Sequence, residues 1–197
     1  MFIELTDHLR CPEDHEESFL VLLPDEMEGR SVRTGQLGCP VCGRTFAIKD
    51  GILDVGGAPE PGAAESRLDA AALTALAGVH GPGGYFTIVG PPASLWEEFQ
   101  EANPGVALVA INPPGAVVDV PGLSVIRSRR IPLKSRSMRG VALGAPYGNN
   151  PYWIAEAARV VLPGLRIVGE GQSSSDEIID LMASAEGVWV GTARRKA

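Results

Sequence analysis

The sequence predicts an α/β protein: a small amino-terminal β module carrying cysteines, then a mostly parallel, doubly wound sheet covered on both faces. Three observations predict it. Cys39 and Cys42 stand two residues apart ahead of Gly43, in LGCPVCGRTF, the form of a tight metal-binding turn. After Val55 the composition shifts to GGAPEPGAAES, which is linker chemistry. Beyond it, short apolar runs alternate with segments of helical periodicity.

The chain of 197 residues is long enough for one ordinary domain plus a small one. Hydrophobic residues at 45% and charged residues at 21% are those of a soluble globular protein, and Gly 24 and Pro 16 imply many turns. MFIELTDHLRC has acids and no basic region ahead of an apolar run, so it does not read as a signal peptide. No window reaches the roughly 18 consecutive apolar residues of a membrane helix. A cytoplasmic protein without membrane contact is expected. Three cysteines then fit metal ligation or free thiols better than a disulfide framework. Residues 1 to 60 carry twelve acids against five bases, and residues 120 to 197 six acids against eleven bases. This asymmetry favours two parts and argues against the amino-terminal part gripping nucleic-acid phosphate.

In the amino-terminal module, the C-P-V-C spacing lets two thiolates from one turn reach the same tetrahedral ion. Upstream, LRCPEDHEE offers Cys11 in the same Cys-Pro context, with Asp14 at the x2 position and His15 one residue later. The site is completed as Cys3His through His15 or as Cys3Asp through Asp14. Imidazole is the better partner for a thiolate-rich zinc ion, so Cys11, His15, Cys39 and Cys42 are the favoured ligands. A redox dithiol is the competing reading, but strand-like GRTFAIKDGI follows where such a motif starts a helix. A site that no longer binds metal is the other alternative. His8 has no partner spacing and reads as an ordinary residue.

Past the linker, SRLDAAALTALAGVHG has helical spacing, with Ser66 as candidate N-cap and Gly78 or Gly81 as stop. Strands are expected at 85 to 90, 106 to 112, 123 to 128, 138 to 146, 165 to 171 and 187 to 195. Helices are expected at 94 to 103, capped by Ser94, at 151 to 162 and at 174 to 185. Trp96, Trp153 and Trp189 fall in apolar periodic segments and are expected in the core. NPP at 112 to 114 and APYGNNPY at 145 to 152 read as turn chemistry, with Asn149 or Asn150 as the alternative ligand contacts. RSRRIPLKSRSMR carries Arg127, Arg129, Arg130, Lys134, Arg136 and Arg139 and no acid. Such a run can track RNA phosphate, though no aromatic is interleaved to stack bases. The favoured reading is a loop that balances the acidic amino-terminal module by docking on it.

LTDHLRCPEDHEESFLVLL and LGCPVCGRTFAIKDGILDV together resemble the small zinc-ribbon proteins related to the activating subunit of tRNA and protein methyltransferases. The likeness covers about residues 2 to 56, and Asp14 stands where the family's first knuckle has its second cysteine. In the second part, IPLKSRSMRGVALG and NPYWIAEAARVVLPGLRIVGEG resemble class I S-adenosylmethionine-dependent methyltransferases. Ile131, Pro132, Leu133, Val141, Glu156, Arg159, Leu162, Pro163 and Gly164 stand at matching positions. Some methyltransferases carry a zinc ribbon in the same chain and others recruit one as a subunit. The resemblance implies a zinc-ribbon module over 1–57, a linker over 58–66 and a Rossmann-like unit over 67–197.

It also implies a cofactor pocket, and here the residues depart from the family. Its first strand ends in G-x-G-x-G, where IVGPPASLW places Gly90 before Pro91 and Pro92, which lack amide donors and fix φ. Asn112 stands where an acid holds the ribose, and Met138 and Arg139 replace a Phe-Asp pair. Gly90, Asn112 and Gly144 are the residues left to approach such a cofactor. No catalytic residue is assigned. The expected function is therefore a zinc-binding, methyltransferase-like protein with a rewritten pocket, acting through a protein partner or self-association. Methyl transfer to RNA or a small molecule, and RNA binding through the basic run, are the alternatives.

Overall fold

The computed structural model describes residues 1–56, 65–172 and 177–194. Except for its last two residues, the expected linker lies outside them, as do residues 174–176 of the last expected helix and Arg195. The described strands form one sheet of eleven.

The amino-terminal strands β1 (Val21–Glu28), β2 (Ser31–Gly38), β3 (Thr45–Lys49) and β4 (Ile52–Asp54) are antiparallel neighbours. The β3–β4 hairpin turns on Asp50 and Gly51, at φ 51 and 79, with Lys49 opposite Ile52. An Asp-Gly pair with both φ positive matches the right-handed twist of the strands it joins.

β4 then pairs in parallel with β7 (Leu123–Arg127), Leu53 facing Ile126 and Asp54 facing Arg127. The Val55 N–H donates to the Arg127 carbonyl at 3.0 Å. Through this join the antiparallel module continues into the parallel strands β6 (Ala107–Ile111), β5 (Tyr85–Val89), β8 (Val141–Leu143) and β9 (Arg166–Glu170). The parallel strands are buried on both faces, as their near-continuous apolar sequences require. Beyond β9 the sheet turns antiparallel with β11 (Val188–Ala193) and β10 (Ile179–Ala185).

β10 corrects the helix expected over 174 to 185. Glu186 and Gly187, at φ 52 and 75, form a tight turn with Ala185 opposite Val188. That turn folds the segment back on β11, and pairing overrides its helical spacing.

One face of the sheet is covered by the 3-10 segment Ile3–His8 and by α3 (Pro151–Val160). Its core runs from Leu5, Leu9, Leu37 and Ile48 to Ile126, Leu133, Ile154 and Val160 without interruption between the two parts. On the other face, α1 (Ala70–Ala77) and α2 (Trp96–Ala102) bury Leu73 and Phe99 against Phe86, Ile88 and Leu108. The N-cap of α1 is Asp69, not Ser66: its Oδ1 accepts from the Ala72 N–H at 2.7 Å, and Gly78 ends the helix in the left-handed conformation. Ser94 sits inside a 3-10 turn over Pro91–Leu95 and donates to the Pro91 carbonyl. Trp153 and Trp189 are buried and Trp96 half-buried. His8 stacks edge-on against Tyr85, 5.0 Å between centroids. No helix among the described residues is long and apolar enough to cross a membrane.

Candidate metal centre and the carboxyl-edge crevice

Two turns at one end of the β1–β3 ladder bring Cys11, His15, Cys39 and Cys42 together, their ligand atoms all within 4.8 Å of one another. The first turn is held where the Cys11 N–H donates to the Ser18 carbonyl at 2.9 Å. The second is held by Cys39 N–H to Arg44 O at 2.8 Å and Gly43 N–H to Cys39 O at 3.0 Å. Gly43, at φ 71, supplies the left-handed residue that closes this knuckle.

The spacings suit a tetrahedral ion. Cys11 Sγ lies 3.7 Å from Cys42 Sγ, and Cys39 Sγ 3.5 Å from His15 Nε2. Metal bonds of about 2.3 Å to sulfur and about 2.05 Å to nitrogen give tetrahedral edges of about 3.8 and about 3.6 Å. His15 Nδ1 sits 2.7 Å from the Glu16 carbonyl, which accepts its proton and leaves the Nε2 lone pair facing the thiols. Burial opposes ionisation of Cys39, but N–H groups of Cys42 and Val41 outweigh it and bring the thiol down to about 6. Burial, and the Cys39 and Cys42 thiols beside it, push Cys11 up to about 12. Asp14 lies outside the cluster and lines a neighbouring groove of about 640 Å³ with Arg44, Arg129 and Tyr152.

At the carboxyl ends of the parallel strands, where open α/β sheets take their ligands, the chain packs closely on itself. Gly90, at φ 75, starts the Pro91-Pro92 turn, and a Cβ there would come within 2.7 Å of the Tyr147 ring. Tyr147 in turn packs edge-on against Trp153 at 4.7 Å. Gly144 carries the two proline rings: a Cβ there would overlap Pro92 and lie 2.9 Å from Pro91 Cδ. Asn112 is buried at φ 49, its amide donating to Ser128 O at 2.6 Å and accepting from Ser128 N–H at 2.9 Å. Gly144→Ala is accordingly expected to cost about 1–3 kcal/mol by overpacking, read as a lower urea midpoint.

The sequence did not single out Glu170, fully buried at the end of β9. Its Oε1 accepts from Ser66 Oγ and the Arg67 N–H, its Oε2 from the Ala145 N–H, so it ties the start of the second part to the crevice floor. Asn150 caps α3 through the Tyr152 N–H.

The middle of the basic run, from Arg130 to Ser135, lies on the amino-terminal segment, while Arg127, Arg129 and Arg136 are exposed. Arg10 N–H donates to Pro132 O and Lys134 N–H to His8 O. Arg130 grips Glu156 through two hydrogen bonds of 3.2 Å and reaches Pro12 O at 3.0 Å. Arg159 meets Glu156 at 2.9 Å and Glu17 at 3.2 Å. Arg139 is spent on the carbonyls of His80, Gly81 and Gly83. Burial pushes the Glu156 carboxyl up, but hydrogen bonds from Arg159 and Arg130 outweigh it and hold it below the usual range. The Glu156-x-x-Arg159 pair is thus the clamp that fastens the first metal-site turn to α3.

No protein-family profile and no curated protein matches the chain. Among solved structures, it is similar to a chain of the Haloferax volcanii complex between the Trm112 methyltransferase activator and a candidate methyltransferase. The TM-score is 0.50 at 11% identity, over 63% of this chain and 87% of that one. A geranyl diphosphate methyltransferase bound to GPP and sinefungin gives 0.43 at 15% identity, over 50% of this chain and 42% of that one. A candidate methyltransferase from Bacillus halodurans C-125 gives 0.42 at 16% identity, over 55% and 53%. The chain thus spans about half the length of these last two. At such identities the first likeness is one of fold, and the chain has a mixed α/β, methyltransferase-like fold with a Cys3His cluster that can hold a metal ion.

Proposed function

We propose that this protein is a zinc-binding, methyltransferase-like scaffold that does not transfer methyl groups and acts through a protein partner. The observation that carries the reading is the close packing at the carboxyl edge, with Pro91 and Pro92 seated on Gly144, Tyr147 over Gly90, and Asn112 bonded to Ser128. A cofactor would have to displace packed rings and a satisfied buried amide.

Zinc would be held by Cys11, His15, Cys39 and Cys42, and with four protein ligands it would cross-link two turns and leave no position for a substrate. The units are a zinc ribbon over 1–57, a linker over 58–66 and a methyltransferase-like part over 67–197. In the Haloferax complex, an activator and its candidate methyltransferase are separate chains. Here we infer that the ribbon serves in cis, across the β4–β7 pair. A cytoplasmic, reducing setting suits its thiolates. The RNA reading loses Arg130 and Arg139, which are spent on Glu156 and on backbone carbonyls, and keeps only the exposed Arg127, Arg129, Lys134 and Arg136.

The test is isothermal titration of the metal-analysed protein with S-adenosylmethionine and its demethylated product. No heat up to millimolar ligand, with one zinc per chain, is expected. Micromolar binding to either would overturn the scaffold reading in favour of an enzyme.

A further inference from the structure

The groove of about 640 Å³ beside the metal centre is built from both parts of the chain. The first part supplies residues 12–14, the start of β3 and the end of β4, and the second supplies Arg129, Arg130 and Tyr152. Because β4 and β7 are parallel, the groove lies at the carboxyl ends of the strands, two strands along the sheet from the packed residues that follow β5. That is the end of an open α/β sheet where ligands sit, and a seam between two parts is where pockets concentrate.

The charges that line it balance. Arg44, Arg129 and Arg130 bring three guanidiniums, and Glu13, Asp14 and Asp54 bring three carboxylates. Four of these six are engaged: Arg44 meets Glu13 at 3.5 Å, Arg130 is held by Glu156, and Asp54 Oδ1 accepts from the Gly56 N–H at 2.9 Å. Asp14 and Arg129 are exposed, and their side chains form no hydrogen bond or ion pair among the described residues, not even with each other. One free anion and one free cation thus face the same groove. An aromatic ring stands with them. Tyr152 lies in the first turn of α3, its N–H held by Asn150. Burial pushes its phenol up, and Arg130, Glu156 and Asp14 all act on it, so the ring sits among these charges. Phe46 and Val55 complete an apolar wall.

This balance selects the ligand. A phosphate ester would bring its charge toward three carboxylates, and a polyamine would bring its own toward three guanidiniums. A ligand without net charge that carries both signs satisfies the two free groups together. We propose that the groove binds an apolar α-amino acid as its zwitterion, with the carboxylate on Arg129, the ammonium on Asp14 and the side chain against Tyr152 and Val55. The planar guanidinium of Arg129 can meet a carboxylate through two parallel N–H donors. Asp14, which is not among the clustered metal ligands, thereby acquires a ligand of its own. Since both parts line the site, a bound amino acid adds to the join between them and raises Tm. The proposal goes beyond the scaffold reading and does not depend on it.

The probes are L-phenylalanine and L-leucine, titrated into the metal-analysed full chain and followed by amide NMR shifts. Two companions each lack one charge: phenylpropionate has no ammonium and phenethylamine has no carboxylate. Expected are saturable shifts with the amino acids, at least about tenfold weaker binding of both companions, and a similar loss of amino-acid binding in Asp14→Asn and in Arg129→Gln. The losses should also cross: Asp14→Asn leaves phenylpropionate unchanged, and Arg129→Gln leaves phenethylamine unchanged. Both side chains are exposed, and unchanged thermal unfolding and metal content verify the variants. No saturation by either amino acid, companions that bind as tightly, or indifference to both variants would overturn the site. Tighter binding of adenosine monophosphate, lost in Arg129→Gln, would overturn it in favour of a phosphate ligand. S-adenosylmethionine binding that survives both variants would sink the scaffold reading without touching this groove. Failure of the amino acids alone would leave that reading in place.

Discussion

Glu156→Ala is expected to lower the unfolding free energy by about 3–5 kcal/mol, the cost of removing one partner from a buried ion pair. Glu156 is 8% exposed and faces two guanidiniums at 27% and 28%. Alanine leaves both charges without their carboxylate and frees the hold of Arg130 on Pro12 O. Glu156→Gln keeps some of the hydrogen bonds and is expected to cost less. The pH dependence follows from the same geometry. The Glu156 carboxyl titrates below its ordinary range in the fold, as does Glu17, where burial is outweighed by hydrogen bonds from Ser135 and by Arg159. Their contribution is complete above the ordinary glutamate range and is lost as pH falls through the depressed folded values. The wild type should therefore lose stability on acidification more steeply than Glu156→Gln, as urea midpoints between pH 7 and pH 3 would read out. Parallel curves would count against the clamp.

Loss of the proposed zinc ion should cost still more. Cys39→Ser removes a cluster thiol whose titration lies below the ordinary range, and structural zinc contributes on the order of 10 kcal/mol where a small module depends on it. The expected result is loss of the bound equivalent by elemental analysis and a fall in Tm of more than about 10 °C. The shape of the transition is as informative as its midpoint. Leu37, Ile48 and Leu53 share one apolar cluster with Ile126, Leu133 and Ile154, so metal loss should lower a single cooperative transition. A separate early melt of the first 56 residues would contradict that shared core.

Much of this arrangement is legible in the sequence, for identifiable reasons. The parallel strands stand out because burial on both faces demands unbroken apolar runs such as YFTIV and ALVAI. The cluster is legible because a knuckle is local. The bends from Glu13 to Glu16 that bring His15 rather than Asp14 to the thiols could be favoured only from ligand chemistry. β10 was not legible as a strand: Ile178, Ile179, Leu181 and Met182 have helical spacing, and the contrary signal is only the Glu186-Gly187 turn. The β4–β7 pair has no local signature, because a parallel match between segments about seventy residues apart is decided by register and packing. The packing around Gly90 and Gly144 is half legible. Pro91 and Pro92 announce a changed turn, but that they land on Gly144, and that Tyr147 closes over Gly90, depends on the tertiary fold.

The parallel join of β4 to β7 has a bearing on gene architecture. What unites the two parts at that seam is a short ladder of backbone hydrogen bonds and a common apolar core, neither of which requires a peptide linkage between Gly56 and Glu65. A seam of that kind is indifferent to whether its sides are encoded together or apart. The same architecture can pass between one reading frame and two without redesign of the contact, and the covalent connection adds only effective concentration.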